Sequence, residues 1–452
     1  MSSSDRIDIS TSAAPTHSRY DDYEESGVQW LGEIPAHWET IRLNWAADYI
    51  NGYMFSPDDR GNEGLPIVRI AQLTGEDEEF DRYDGDLEEK YKITKGDLLF
   101  SWSATLDAFV WSQGPAWLNQ HIFRVEPIPK VDRRYLGYCL KSIIPVLVRD
   151  SHGSTMQHIK RQALKDHSIA LPPLVEQRAI ATFLDRETER IDTLIEKKER
   201  LIDLLEEKRT ALISRVVTKG LDADVEMQDS GVEWLGEIPA GWDVARLKFL
   251  SEVQSGIAKG KRYDDNVETV ELPYLRVANV QDGFLNLDEV SEIEVAVDEV
   301  RRYLLQSGDV LMTEGGDYDK LGRGTVWNGD IEPCLHQNHI FAVRPRSVES
   351  EWVALITQTR YAKHFFIVQS VHSTNLASIS MSSLQDLPVV VPPRETRQAI
   401  LDHVDRETER IDTLVRKVEA AIDRLKEYRT ALISAAVTGQ IDVRNDVRTA
   451  AK

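Results

Sequence analysis

Two Pro-Pro pairs are where this 452-residue sequence comes nearest to a catalytic motif. A Pro-Pro pair that cradles an extruded base for methyl transfer carries an Asn or Asp before it and an aromatic residue after it, because the base must be hydrogen-bonded at its edge and stacked on its face. Here the pairs read Leu171-Pro172-Pro173-Leu174 and Val391-Pro392-Pro393-Arg394, which supply neither group. The glycine-rich run at 315–324 fits neither the dinucleotide fingerprint nor the phosphate-binding loop, so a tight loop is expected there. No spaced Asp and Glu-x-Lys cluster of a nuclease stands out. Cys139 and Cys334 lie far apart without CxxC spacing, which argues against a disulfide framework or a zinc site. Gln120-His121 and Asn338-His339 precede matched apolar runs, where a histidine is expected to be a hydrogen-bonded part of the frame. The expectation is a chain with no catalytic residue, no metal and no cofactor.

What remains is chemistry of recognition. Arg presents a fork that suits guanine, Asn and Gln suit adenine, and a good bidentate pair contributes about 1–3 kcal/mol of discrimination. Loop residues of this kind are Gln72, Ser101, Ser103, Gln120, Lys160 and Arg161 in the first half. In the second half they are Lys261, Arg262, Asn279, Asp317, Tyr318, Lys320 and Arg323. Any one of them could equally be a solvated loop side chain. The net charge of −22 sits awkwardly with binding to phosphates. The charge is segregated, however: residues 1–129 hold 10 Lys and Arg against 24 Asp and Glu. Residues 130–165 then carry eight basic side chains (Lys130, Arg133, Arg134, Lys141, Arg149, Lys160, Arg161 and Lys165) against Asp132 and Asp150. The acidic total predicts a partner that helps to hold the nucleic acid.

The elements that must position these residues are written twice. SGVQWLGEIPAHWETIRL at 26–43 and SGVEWLGEIPAGWDVARL at 230–247 agree at thirteen of eighteen positions. DRETERIDTL occurs at 185–194 and again at 405–414, and RTALIS at 209–214 and 429–434, both with an offset of 220 residues. The chain is a tandem duplication. Between these segments the two bodies diverge. PIVRIAQL (66–73) and PYLRVANV (273–280), KGDLLFSW (95–102) and SGDVLMTE (307–314), and HIFRVEP (121–127) and HIFAVRP (339–345) read as three matched pairs of buried strands. Short helices are expected near 133–149 and 350–368. Each body is expected to be an α+β domain with a strongly curved or barrel-like sheet.

After each Pro-Pro pair a seven-residue apolar repeat predicts a long helix. Its stripe runs through Leu184, Ile191, Leu194, Ile195, Leu201, Ile202, Leu205 and Leu212 in one copy. In the other it runs through Val404, Ile411, Leu414, Val415, Val418, Ala421, Ile422, Leu425 and Leu432. About 35 residues make a rod of roughly 50 Å. Two rods from one chain would pack as an antiparallel coiled coil with pseudo-twofold symmetry. Two divergent readers held by a stiff spacer suit a target with two unlike halves, since spacing on a duplex is fixed by its helical repeat. Four residues inserted after Arg209 would add about 6 Å of helix and are expected to lengthen the unread gap by one or two base pairs.

The WLGEIPxxW opening, TEGGDYDKLGRGTVW (313–327), HQNHIFAVRP (336–345), GSTMQHIKRQAL (153–164) and LPPLVEQRAIATFLDRETERID (171–192) resemble the specificity subunits of type I restriction-modification enzymes. The resemblance covers nearly the whole chain after residue 25, in both halves. It implies two target-recognition domains that read double-stranded DNA in the major groove, and helices that dock two adenine methyltransferase subunits. A motor-nuclease subunit would join for restriction. The implied organisation is a disordered leader at 1–26, recognition domains at 27–173 and 231–393, helical repeats at 174–222 and 394–442, and a tail at 443–452. The charged residues Arg186, Glu187, Glu189 and Arg190, with Arg406, Glu407, Glu409 and Arg410, are candidates for docking a partner, although a shared packing need could also explain their identity. The polar leader lacks a signal peptide's apolar stretch, so a cytoplasmic protein is expected. Two other classes stay open: an enzyme that modifies DNA alone, and a scaffold that reads no sequence.

Overall fold

Both bodies build their main sheet from a Gly-Asp turn, in a computed structural model that describes residues 17–150, 163–260, 262–264, 266–316, 321–372 and 377–444. Gly96 and Gly308 adopt φ of 94° and 92°, left-handed values that a residue without Cβ takes at little steric cost. The next side chain folds back over the turn: Asp97 Oδ2 accepts from Thr94 N, and Asp309 Oδ2 from Gln306 N, each at 2.8 Å. The turns launch the strands Leu98–Ser101 and Val310–Thr313, every residue of which is buried. In the first body the antiparallel sheet is ordered Ala47–Asn51, Ile122–Pro127, Leu98–Ser101, Asp107–Val110. In the second it is Ser251–Ser255, Ile340–Pro345, Val310–Thr313, Gly324–Val326, with the same order and directions.

The other strands belong to further small sheets instead of closing one barrel. Leu65–Val68 sits between Arg82–Tyr83 and Ala116–Leu118, and Thr269–Leu275 between Ser291–Ala296 and Leu335–His336. The runs 66–73 and 273–280 are strand only in their first halves. At Arg69 and Arg276 the chain turns into the helical segments Ile70–Thr74 and Val277–Asn279. The cause is a side chain three residues on: Gln72 Oε1 accepts from Arg69 N at 3.1 Å, and Asn279 Oδ1 from Arg276 N at 2.7 Å. A local cap of this kind competes with the sheet ladder for the backbone donor.

The helix expected near 133–149 is Arg133–Asp150. The one expected near 350–368 is two, Ser350–Thr357 and Arg360–Gln369. Thr359 separates them: its backbone is extended and its hydroxyl accepts from Ala362 N at 3.3 Å, which starts a new helix. The strands Ser168–Leu171 and Pro388–Val391 pair with Glu39–Arg42 and Asp243–Arg246 and lead through the Pro-Pro pairs into the long helices. The central helix is Leu174–Lys219 (46 residues) and the C-terminal helix Arg394–Val437 (44 residues). Both begin directly after the prolines, which makes them longer than the heptad stripe alone indicates.

The chain forms two compact units whose borders cross these helices. One holds residues up to 197 and from 420 onward, the other residues 198–419. In the first unit Ile180, Phe183, Leu184 and Ile191 share a core with Leu432, Ile433 and Val437. The single proton of Tyr135 Oη is shared between Ala170 O (2.9 Å) and Val437 O (3.2 Å), while Asp192 meets Arg429 at 3.3 Å. Numbering rises along one helix as it falls along the other, so the pairing is antiparallel. In the second unit Ile213, Val216 and Val217 share a core with Ile400, Leu401 and Val404, and Arg209 Nη1 donates to Asp412 Oδ1 at 2.7 Å.

These two ion pairs are one contact made twice, because Asp192 and Asp412, and likewise Arg209 and Arg429, are equivalent positions of the repeat. DRETERIDTL supplies the aspartate and RTALIS of the other copy supplies the arginine. Mutual pairing accounts for identity that a single helix would not require. Both pairs are more than a third exposed on each side, where such a pair is worth about 0–1 kcal/mol; they record the register and the apolar core holds it. The buried seam is narrower than the stripe read from the sequence: Leu194, Leu201 and Leu414 are all exposed.

The repeated opening segment seats helix ends. Trp38 Nε1 donates to Glu176 Oε1 at 3.2 Å, and Tyr23 Oη to Gly439 O at 2.8 Å. In the second unit Lys219 Nζ donates to Glu237 O, and Gly220 lies against Trp242.

Candidate nucleic-acid interface

One edge of each body gathers three loops in the same way. In the first, the end of Ala47–Asn51, the residues after Leu98–Ser101 and the turn before Ile122–Pro127 meet. Trp102 N donates to His121 O at 3.2 Å, and Tyr53 N to Leu118 O at 2.8 Å. In the second, Glu314 N donates to His339 O at 2.9 Å, and Ile257 N to His336 O at 2.9 Å. The glycine between strand and turn has to be glycine. A Cβ on Gly52 would lie 2.1 Å from Asn119 O, and one on Gly256 would lie 2.0 Å from His336 O.

On this common frame the side chains differ in kind. In the first body Trp102 packs against His121, with ring centroids 5.3 Å apart, and its Nε1 donates to Asn51 Oδ1 at 3.1 Å. In the second, Glu314 occupies the place of Trp102, and its Oε2 lies 2.8 Å from His339 Nδ1. Gln120 and Asn338 lie beside these histidines, each 3.4 Å from the ring Nε2. The histidines are therefore held in the frame, as their sequence context indicates. Trp102 and Glu314 are absent from the candidates read from single motifs; superposing KGDLLFSW on SGDVLMTE is the signal that finds them, as unlike residues at one matched position.

The sequence-derived candidates separate by what their polar atoms already do. Gln72 Nε2 donates to Asp77 Oδ2 (3.0 Å) and Glu79 O (2.7 Å), and Asn279 Nδ2 to Asn286 O (2.9 Å) and Glu289 O (2.8 Å). With their carbonyl oxygens capping turns, both side chains are engaged in their own loops and serve the frame. Ser101 is fully buried and bonded to Asp107, accepting from its N at 3.0 Å, and Ser103 is buried beside it. Gln120 lies on the gathered edge. Arg262 is exposed, and Arg323 is half-buried and donates to Gln281 Oε1 at 3.2 Å. Lys160, Arg161, Lys261, Asp317, Tyr318 and Lys320 lie outside the described residues. The basic run at 130–165 is also spent partly within its unit: Arg134 binds Asp185 at 2.7 Å, Lys141 binds Asp107 at 2.8 Å, and Arg133 Nη1 donates to Gly96 O at 2.7 Å.

On the helices Arg186, Glu189 and Arg190, and their counterparts Arg406, Glu409 and Arg410, are exposed, whereas Glu187 and Glu407 are half-buried and paired with Arg190 and Arg410. Among the described residues no group of three or more His, Cys, Asp or Glu side chains could hold a metal ion. No described helix is long and apolar enough to cross a membrane.

Residues 35–204 match the model of the type I restriction modification DNA specificity domain. The type I restriction enzyme EcoBI specificity subunit of Escherichia coli is 24% identical over 436 residues, covering 92% of this chain and 89% of its own. The MjaVIII specificity subunit of Methanocaldococcus jannaschii is 23% identical over 437 residues, covering 91% and 95%. Among solved structures, a chain from work on complex assembly and conformational transition of the type I R-M system aligns over 89% of this chain and 98% of its own, with a TM-score of 0.63 at 17% identity. The likeness runs through both bodies and both long helices, so along nearly its whole length the chain is similar to the specificity subunits of type I restriction-modification enzymes.

Proposed function

We propose that this subunit reads an asymmetric two-part DNA sequence, one part with each body, and presents it to partner subunits that methylate adenine and, when a motor-nuclease is present, restrict. The observation that carries the reading is the contrast between frame and edge. Identity between the copies is concentrated where the helices pair and where their ends are seated, while the matched edge carries Trp102 in one body and Glu314 in the other. Unlike readers on a like frame suit unlike half-sites. Partner docking is assigned to the helix faces bearing Arg186, Glu189 and Arg190 and Arg406, Glu409 and Arg410. Each of these faces also exposes a leucine, Leu194 or Leu414. One surface present twice fits two copies of one partner, whose basic residues would offset the net charge of −22.

A genome-wide map of methylated adenine, with and without the gene, tests this. The expected result is an asymmetric two-part motif that vanishes on deletion; an unchanged map beside an expressed methyltransferase would refute it. The spacer has to be lengthened in both helices, and not after Arg209 alone, for the gap to grow. Both helices are held together at Asp192–Arg429 and again at Arg209–Asp412, so four residues inserted in the central helix alone would put the two registers out of step. Four inserted in each, between 193 and 208 and between 413 and 428, would keep both contacts. The paired insertion should lengthen the unread gap in the methylation motif by one or two base pairs, since it adds about 6 Å, and the single insertion should abolish methylation.

A further inference from the structure

We infer that the matched edge position selects the base: Glu314 accepts a hydrogen bond from the N4 amine of a cytosine, and Trp102 packs on the C5 methyl of a thymine. The inference rests on the proposed reading of DNA by these two edges.

An exposed Glu repels phosphates, so it is useful at such an edge only when it meets a hydrogen-bond donor in the groove. The major groove offers two, the N6 amine of adenine and the N4 amine of cytosine. Adenine sets its N7 acceptor beside its amine, and a carboxylate facing that pair gains one bond and meets one repulsion. Cytosine has no acceptor of its own beside its amine. Glu314 is 28% exposed, and His339 Nδ1, 2.8 Å from Oε2, fixes its rotamer. The carboxylate is thereby aimed before any base arrives, which lowers the ordering cost of binding.

Trp102 stands on the same backbone frame with the opposite chemistry. Its one donor, Nε1, is already given to Asn51 Oδ1. What it offers is carbon, backed by the rings of His121 at 5.3 Å and Phe123 at 5.9 Å. The thymine methyl is the apolar group that distinguishes a base pair in the major groove. A tryptophan held by its N–H and packed against two further rings is a surface for that methyl.

The test uses the full chain co-expressed with its methyltransferase partner, on duplexes carrying the mapped motif. In Glu314→Gln the amide matches adenine N6 and N7, so the preference for cytosine over adenine at one position of the second half-site should fall by about tenfold. Preferences in the first half-site should not change. Replacing thymines of the first half-site by uracil, one at a time, should weaken binding by about fivefold at one position, and Trp102→Ala should bind the two duplexes equally. The uracil comparison needs no altered protein, so it decides even where the Trp102 variant is unstable. Unchanged base preferences in Glu314→Gln, or uracil bound as well as thymine at every position, would overturn the inference while a wild-type preference for the motif over a scrambled duplex leaves the underlying reading intact. Wild-type protein that binds scrambled and mapped duplexes equally would defeat both.

Discussion

Gly256→Ala should lower the stability of the second unit by about 1–3 kcal/mol, the usual cost of forcing atoms into a packed site, and remove recognition of the second half-site alone. The added Cβ would lie 2.0 Å from His336 O and 2.6 Å from Gln337 O. Both obstacles are backbone, so no side-chain rotation relieves them, and the strand end must move away from the turn that carries Asn338 and His339. Gly52→Ala is the same experiment on the first unit, against Asn119 O at 2.1 Å. Gly114 has open space around its Cβ position, and Gly114→Ala should leave both properties unchanged. Thermal denaturation read together with the methylation motif separates these outcomes. A Gly256→Ala protein with wild-type melting and an intact second half-site would mean that the close approach is not needed.

The second unit should also lose stability in mild acid in a way the first does not share. His336 is fully buried, its Nδ1 lies 3.2 Å from Tyr303 O, and burial pushes its pKa down to about 4. In the unfolded chain the imidazole titrates near 6.5. Between these values the unfolded state binds the proton and the folded state does not. The stability contributed by the neutral ring is therefore complete above about pH 6.5 and is lost as pH falls toward 4. Between pH 7.5 and 5 the loss is about 2 kcal/mol. The matched residue in the first body is Leu118, itself buried at 1% exposure, so His336→Leu borrows a side chain that this frame already accommodates. Urea denaturation at the two pH values should show the wild type losing about 2 kcal/mol more than His336→Leu. Equal losses would show that His336 is not held neutral in the folded state.

Duplication, the long helices and the absence of a catalytic motif were all legible in the residues. Ten consecutive identical residues need no geometry to be noticed, and a seven-residue apolar period reports a helix wherever it occurs. The Gly-Asp turns are equally local, since a left-handed glycine followed by a side chain that caps its own turn needs no distant contact. The edge residues were harder. Gln72 and Asn279 have the right chemistry to read adenine, yet Arg69 N and Arg276 N claim their carbonyl oxygens. Nothing in the residue types shows that claim, because a side-chain amide bonds whichever partner the fold brings within reach.

By itself, then, the sequence determined that this is a frame written twice around two unlike bodies, because repetition and periodicity are carried by neighbours along the chain. Only the tertiary structure decided which identical segments pair: DRETERIDTL with RTALIS of the other copy, through Asp192–Arg429 and Arg209–Asp412. It also placed the matched residues Trp102 and Glu314 at the edge, where strand ends far apart in sequence converge. Both facts depend on contacts between residues tens to hundreds of positions apart, and such contacts are set by how the cores close.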